Sequence, residues 1–253
     1  MRRTRLLACC SAILSLALSS LHAPARAQAP APFTPAQQAQ IVQIVRQAMK
    51  ADPSILRDAV GTLQADEQAR EAADTKARLA SNQKALTATF GDPVAGNPNG
   101  DITLVEFYDP RCPYCRRMLP DIANLLKHDP KLRLVYKDIP VLGPASTLET
   151  RAILAAQKQG AYERMQQSVM RNPAPPNDAM IRQTAQSLGL DANRLLADMN
   201  STAITAKISA NLALARELKV EGTPVWVIGD TIIPGATDEA SLAAAVSRAR
   251  KKG

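Results

Sequence analysis

The sequence predicts an α/β domain that carries an inserted block of helices and follows an N-terminal helical extension. A strand–helix–strand pattern runs from 102 to 141, purely helical patterns follow from 146 to 218, and a hairpin and a helix complete the chain. The 253 residues are 46% apolar, which is enough to bury a core and excludes disorder throughout. Long apolar runs do not recur along the chain, which excludes a polytopic membrane protein.

The first 27 residues have the three parts of a secretory signal peptide. Three arginines precede an apolar stretch that begins at Leu6, and Ala25-Arg26-Ala27 then has the small-residue pattern of a cleavage site. The apolar stretch is shorter than the ~20 residues that a membrane-spanning helix needs, so a retained anchor is the weaker interpretation. We therefore predict a signal peptide over 1–27 and a periplasmic protein.

Removal of the signal peptide changes both the charge and the cysteine content. The net charge of +8 includes four arginines from the first 27 residues, so the mature chain carries +4. No basic run is interleaved with aromatic residues, and we expect no nucleic-acid partner. Cys9 and Cys10 are also removed, which leaves Cys112 and Cys115. A single close pair of cysteines in an exported protein indicates a compartment where thiols are oxidised.

Helical patterns over 28–90 predict the N-terminal extension. Thr34-Pro35 has the residue types of a helix start, and the apolar residues that follow recur at spacings of three and four. From 64 to 86 the apolar face is lost except for Leu79 and Leu86. Such a segment is either a solvated linker helix or a stalk buried by copies of itself. We favour the stalk and predict a homo-oligomer through residues 34–90.

The rest of the chain, 91–253, is predicted to form one domain. A nearly continuous apolar strand, a helix and a second strand make a right-handed parallel βαβ unit. The elements in chain order are a loop and domain boundary at 90–101, strands at 102–108 and 131–141 around a helix at 115–128, a helical insertion at about 146–218, a hairpin of 225–228 and 231–233, and a helix at 238–251.

The motif Cys112-Pro113-Tyr114-Cys115 lies between the end of a buried strand and the start of a helix. Free backbone N–H groups and the helix dipole at that position stabilise a thiolate on Cys112, which makes it reactive and a good leaving group. Arg111 and Arg116 add positive potential. Cys115, one turn further into the helix, is expected to be shielded and to act as the resolving thiol.

Two other uses of the cysteine pair remain open at this point. A purely structural disulfide across so short a loop contributes only ~2 kcal/mol in the chain-entropy estimate. An intramolecular zinc site needs two further ligands, and the mature chain offers only His128, so we assign no metal ligands. A Cu(I) site or a metal shared between subunits stays an alternative.

A second motif, Gly222-Thr223-Pro224-Val225, leads directly into a strand, where proline indicates either an edge position or a cis turn. With the cysteine motif, the helical insertion and the signal peptide, it makes the chain resemble the DsbA family of thioredoxin-fold disulfide oxidoreductases. The likeness is greatest to the secreted branch with an N-terminal helical extension, the ScsC-type proteins. It implies a thioredoxin-like fold with an inserted helical domain.

The resemblance also implies site residues. Pro224 is expected to be a cis-proline facing the cysteine pair, and backbone groups of Thr223 and Pro224 to pair with a substrate peptide. Glu106, six residues before Cys112, matches a buried acid that accepts the proton of Cys115; the alternative is a strand residue that points into water. Pro113 and Tyr114 are assigned to substrate contact.

These observations predict a periplasmic protein thiol–disulfide oxidoreductase that needs no cofactor, with Cys112 as nucleophile. Its partners would be exported cysteine-containing proteins and a membrane redox partner that reoxidises or reduces the pair. The direction stays open: Tyr114, Thr223 and the extension favour isomerisation or reduction, whereas the helical insertion is typical of oxidases. The alternative function is a Cu(I)-binding or chaperone-like envelope protein that uses the same cysteines.

Overall fold

The structure is a computed structural model that describes residues 33–87 and 91–252. The predicted signal peptide lies outside the described residues and stays a prediction. Within the described residues, no helix combines the length and the apolar character needed to cross a membrane.

Ten helices and five strands are formed by the described residues, with β2, β3, β4 and the long helices at positions close to those predicted. In chain order they are α1 (Pro35–Ala51), α2 (Ser54–Ser81), α3 (Gln83–Thr87), β1 (Val94–Gly96), β2 (Ile102–Tyr108), α4 (Pro113–His128), β3 (Leu132–Asp138), α5 (Pro144–Gln157), α6 (Tyr162–Arg171), α7 (Asp178–Ser187), α8 (Ala192–Asp198), α9 (Thr202–Glu217), β4 (Val225–Ile228), β5 (Thr231–Pro234) and α10 (Glu239–Arg250).

The chain divides into two packed units, the first ending at Gly61 and the second beginning at Thr62. In the first unit, Thr34 caps α1 through a reciprocal capping box with Gln37, and Pro35 occupies the first turn. No residue of α1 is buried among the described residues, although the helix carries the apolar repeat that the sequence predicts.

The second unit is built on a five-stranded sheet with the order β1-β3-β2-β4-β5. β2 and β3 are parallel over their whole length, with α4 between them, so the predicted βαβ unit is confirmed. The other pairs are antiparallel. The prediction of a loop over 90–101 is wrong at β1, because three residues among glycine and proline are too few to show a strand pattern.

The two faces of the sheet are covered by different elements. One face packs against α4, α10 and the helices between β3 and β4. On the other face Leu79 and Leu86, each 3% exposed, pack with Val105 and Phe107 of β2 and with residues of α9. The two leucines therefore form part of the domain core, and the packed unit extends upstream of the predicted boundary at 90–91.

Five helices, α5 to α9, separate β3 from β4, which confirms the predicted thioredoxin-like fold with an inserted helical domain. The hairpin of β4 and β5 turns at Gly229-Asp230 as predicted. Trp226, fully buried in β4, donates a hydrogen bond from Nε1 to the Gly235 carbonyl at 3.2 Å.

Candidate active site

Strand β2 ends at the carboxyl end of the parallel strands, and α4 begins a few residues later. Cys112 is the N-cap of α4, with extended backbone angles, and Pro113 occupies the first turn. The Cys112 amide donates to the Asp109 carbonyl and its own carbonyl accepts from the Arg116 amide, both at 3.0 Å. The thiol is therefore held at the helix N-terminus, as the sequence predicts, where unpaired N–H groups favour an anion.

A buried carboxylate, Asp109, fixes this loop. Its Oδ1 accepts from the Arg111 amide at 2.7 Å and from the Ser146 hydroxyl at 2.8 Å, and its Oδ2 accepts from the amides of Val141 and Leu142. The carboxylate thus joins the active-site loop to the start of α5 and to the loop after β3.

The two cysteines are free thiols in different environments. Hydrogen bonds, first from the Cys115 thiol and then from Thr223 and the backbone amides of Cys115 and Tyr114, outweigh desolvation and lower the pKa of Cys112 to about 5. Cys115 is fully buried, and desolvation, the Cys112 hydrogen bond and the charge of Glu106 raise its pKa. At neutral pH Cys112 is a thiolate and Cys115 is a protonated thiol.

The distant proline motif reaches the cysteine pair. The Thr223–Pro224 peptide bond is cis, as predicted, and the Cys112 Sγ lies 3.1 Å from the Thr223 carbonyl oxygen. Pro224 leads into β4, next to β2, which explains how a segment more than one hundred residues away meets the site.

A groove of about 350 Å³ runs beside this point, lined by Thr223, Tyr114 and residues of β5. Tyr114 is 53% exposed, and the Arg117 guanidinium lies 4.9 Å from the centre of its ring. Pro113 is also exposed. The predicted substrate-contact residues are thus accessible around the nearly buried Cys112.

Glu106 lies beneath the cysteines. Side chains alternate along β2, so Glu106 shares a face with Leu104 and Tyr108, which pack in the same core as Cys115. Its side chain is 2% exposed, which excludes the alternative of an outward residue in water. Burial, followed by the charges of Asp138 and Cys112, raises the pKa of Glu106 well above its ordinary value. The carboxyl group therefore holds a proton under conditions where an exposed glutamate is ionised.

The structure adds an acid that sequence reasoning missed. Asp138, at the end of β3, accepts a hydrogen bond from Tyr108 at 2.7 Å and another from Tyr162 of α6 at 3.0 Å. Burial is the main cause that raises the pKa of Asp138 to about 6. Its charge also acts on Glu106, so two buried carboxyl groups lie behind the thiols. The sequence signal is weak, because Asp138 ends a strand that already contains Arg133 and Lys137.

Among residues 33–87 and 91–252, no group of three or more His, Cys, Asp or Glu side chains is placed to hold a metal ion. His128 lies at the opposite end of α4 from Cys112, where its Nδ1 is 2.7 Å from Glu239 Oε1.

Comparisons with known proteins agree with this geometry. The family model of the DSBA-like thioredoxin domain matches residues 103–247. A thioredoxin-like oxidoreductase from Silicibacter pomeroyi is 41% identical, with a TM-score of 0.65, over 67% of this chain and 98% of that one. ScsC from Proteus mirabilis in a transitional conformation is 29% identical, with a TM-score of 0.64, over 87% of this chain and 98% of that one.

Curated relatives match the same part of the chain. A probable disulfide bond formation protein D from Bacillus cereus is 27% identical over 62% of this chain and 78% of its own length. A Na⁺/H⁺ antiporter NhaA from Salinispora tropica is also 27% identical over 62% of this chain, but the chain spans only 24% of that protein's length. With more than half of its residues matched by the family model, the chain belongs to the DSBA-like thioredoxin domain family.

Proposed function

We propose that the protein is a periplasmic oxidoreductase that exchanges thiols and disulfides with exported cysteine-containing proteins through Cys112 and Cys115. The observation that carries this proposal is the opposite environment of the two thiols: hydrogen bonds at the start of α4 lower the pKa of Cys112 to about 5, whereas burial raises that of Cys115. Cys112 is thereby activated both as a nucleophile and as a leaving group, whereas Cys115 stays protonated until it acts on the mixed disulfide.

In the oxidising direction, a substrate thiolate attacks Cys112 Sγ of the disulfide, and the bond to Cys115 breaks. The released Cys115 thiolate takes up a proton, and the buried Glu106, whose raised pKa favours the protonated form, is the donor. A second substrate thiolate then attacks the substrate sulfur of the mixed disulfide, and Cys112 leaves as a thiolate. Two electrons pass from the substrate dithiol to the cysteine pair, so no organic cofactor is required.

In the reducing direction, the Cys112 thiolate attacks a substrate disulfide, and one substrate sulfur leaves as a thiolate. Cys115 then gives its proton to the ionised form of Glu106 and attacks Cys112 Sγ, which releases the second substrate sulfur. In the isomerising direction, a substrate thiolate attacks the substrate sulfur of the mixed disulfide instead, and Cys112 leaves as a thiolate. Backbone groups of Thr223 and Pro224 would pair with the substrate chain, since the Thr223 carbonyl lies directly beside Cys112. Pro113 and Tyr114 would contact it from α4. A membrane redox partner would restore the pair after each cycle.

We also propose a homo-oligomer formed through the N-terminal helices. The support is the set of large apolar side chains in this region that are exposed in the single chain, Phe33, Ile41, Val42, Ile44, Val45, Met49, Ile55, Leu56, Val60 and Leu63. A second copy would remove such a face from water, and several active sites would then surround one substrate.

The mature chain, 28–253, tests the exchange function directly. We expect it to catalyse insulin reduction and, when reduced, the reactivation of scrambled ribonuclease, and we expect Cys112→Ser to abolish both. Strong reactivation of scrambled ribonuclease would identify the protein as an isomerase. Glutathione-dependent oxidation of reduced ribonuclease, with no reactivation of the scrambled form, would identify it as an oxidase. Exchange that persists in Cys112→Ser contradicts the assignment. Cu(I) binding without exchange, lost in the same variant, favours the metal-binding alternative.

The pH dependence of thiol alkylation tests the state of Cys112. The iodoacetamide rate should rise as the pH passes about 5 and stay level at neutral pH, because the thiolate is the reacting form. Cys115→Ser retains the reactive thiol, and Cys112→Ser removes it. A rate that climbs only near pH ~8.5, as for an ordinary cysteine, contradicts the activated thiolate.

A further inference from the structure

A buried acid on α5 lies between two arginines that flank the cysteine pair. Glu149 has no exposed side-chain surface. Its Oε1 is 3.2 Å from Arg111 Nη1, and its Oε2 is 3.6 Å from Arg116 Nη2. Arg111 directly precedes Cys112, and Arg116 lies one turn into α4. The mechanism described above uses none of these three residues.

Backbone carbonyls hold both guanidinium groups in place. Arg116 donates from Nε to the Pro110 carbonyl at 2.8 Å and from Nη1 to the Asn172 carbonyl at 3.2 Å. Arg111 donates from Nη1 to the Ala174 carbonyl at 3.1 Å. The arginines therefore join the active-site loop to the connection between α6 and α7, and their charges have fixed positions.

Arg116 interacts with the thiolate as well as with the acid. Burial lowers the pKa of Arg116, while the charges of Glu149 and Cys112 act in the opposite direction. Burial likewise raises the pKa of Glu149, and its hydrogen bond and charge contact with Arg111 oppose that shift. Two positive groups and one negative group thus lie together beside the cysteine motif, since Arg111 directly precedes Cys112 and Arg116 directly follows Cys115.

The sign of the effect follows from electrostatics. A cation near Cys112 stabilises the thiolate and hence the reduced pair, which makes the disulfide a stronger oxidant. A carboxylate paired with that cation cancels part of the stabilisation.

We propose that Glu149 is a positioning residue that limits the oxidising strength of the Cys112–Cys115 pair, because it holds the guanidinium groups of Arg111 and Arg116 and offsets part of their charge. The inference rests on the proposed exchange function and adds a residue that tunes it. It explains how two arginines can flank the nucleophile without making the pair as oxidising as their charges alone would.

Glu149→Gln in the mature chain tests the proposal, since glutamine keeps the shape and removes the charge. The readout is the equilibrium constant for reduction of the protein disulfide by two molecules of reduced glutathione, which gives the protein dithiol and oxidised glutathione. This constant should shift about five- to tenfold toward the dithiol, and a tenfold shift corresponds to about 30 mV. The thiolate absorbance of Cys112 should titrate at a lower pH than in the wild type. Glu149→Asp, which keeps the charge, should restore most of both values.

Two further variants keep the test decisive. Arg111→Gln removes a cation instead of the anion. It should move the thiolate titration of Cys112 to higher pH and the glutathione equilibrium toward the protein disulfide. This variant tests the proposal if Glu149→Gln does not fold. Glu163→Gln, the same change on α6, should leave both readouts unchanged. Folded variants of Glu149 and Arg111 with wild-type titrations overturn the proposal. Absence of exchange in the wild type overturns the proposed function instead, because the thiolate titration needs no exchange.

Discussion

Helix α1 and the segment 79–87 both belong to the predicted helical extension, but they differ in what covers their apolar side chains. Helix α1 has a strong apolar repeat and no buried residue. The segment 79–87 has only two large apolar side chains, Leu79 and Leu86, and both are buried against the sheet. Apolar density along the sequence is thus a poor guide to which apolar side chains of the extension are buried.

The physical reason is the amount of surface that each segment has to cover. One face of the sheet is already covered in part by α9, and two leucines join the same apolar cluster, which includes Val105 and Val227. Helix α1 carries a whole apolar face of its own, and a helix of 17 residues gains little stability in water without a partner surface. A sparse pattern can therefore be sufficient for packing within the chain, while a dense one points to a partner outside it.

The largest expected effect is on the covered segment. We expect Leu79→Ala and Leu86→Ala each to lower the free energy of unfolding by about 2–5 kcal/mol, because each removes buried methyl groups and leaves a cavity. Urea denaturation of the mature chain at one fixed protein concentration measures it. Leu142→Ala, at a leucine 54% exposed on the same domain, is the matched control and should change stability by less than about 0.5 kcal/mol. Equal effects at the three positions would show that the segment is not part of the core.

A smaller effect is expected at the ion pair that holds the same segment. Lys137 Nζ lies 2.6 Å from the Asp92 carboxylate and 2.6 Å from the Ala85 carbonyl of α3, and Lys207 also contacts Asp92 at 2.8 Å. Burial lowers the pKa of Lys137, and Asp92 opposes that shift. Asp92→Asn leaves Lys137 without its carboxylate in the core and should cost about 3 kcal/mol.

Asp198→Asn breaks an ion pair of similar length in which the partner, Lys158, is 38% exposed. It should cost no more than about 1 kcal/mol because solvent screens the pair. If urea denaturation finds the two variants equally stable, the buried pair does not anchor α3.

The sequence predicts an element well where the residues of that element alone produce its hydrophobic pattern. The strand β2 has the predicted bounds because its run of apolar residues is buried on both faces. The sequence does not indicate the break between α8 and α9, because Asn200 and Ser201 interrupt the helical pattern without a glycine or proline. The edge strand β1 was missed because it is too short for a period to show.

The candidate site divides in the same way. Cys112, Cys115 and Pro224 belong to short motifs whose spacing indicates their chemistry. Asp138 and Glu149 act through contacts with residues of other elements, and no local spacing identifies a carboxylate that becomes buried only when the helical insertion packs onto β2 and α4. The cysteine and proline motifs can thus be found in the sequence, whereas the buried charges near them require the folded chain.

The smallest effect on the stability of the domain is expected at α1, where the change appears in assembly. Ile44→Lys places a charge on the exposed apolar face, and it should convert an oligomer of the mature chain into monomers, since a lysine cannot be buried there without a partner charge. Light scattering over a wide concentration range measures the mass. Gln43→Lys adds the same charge to the opposite side of the helix and should leave the oligomer intact. The urea midpoint of the second unit should stay the same in both variants.

A wild-type chain that is monomeric at every concentration contradicts the proposed assembly. A urea midpoint lowered by Ile44→Lys would show that α1 packs onto its own domain, and the contrast with the segment 79–87 would then no longer hold.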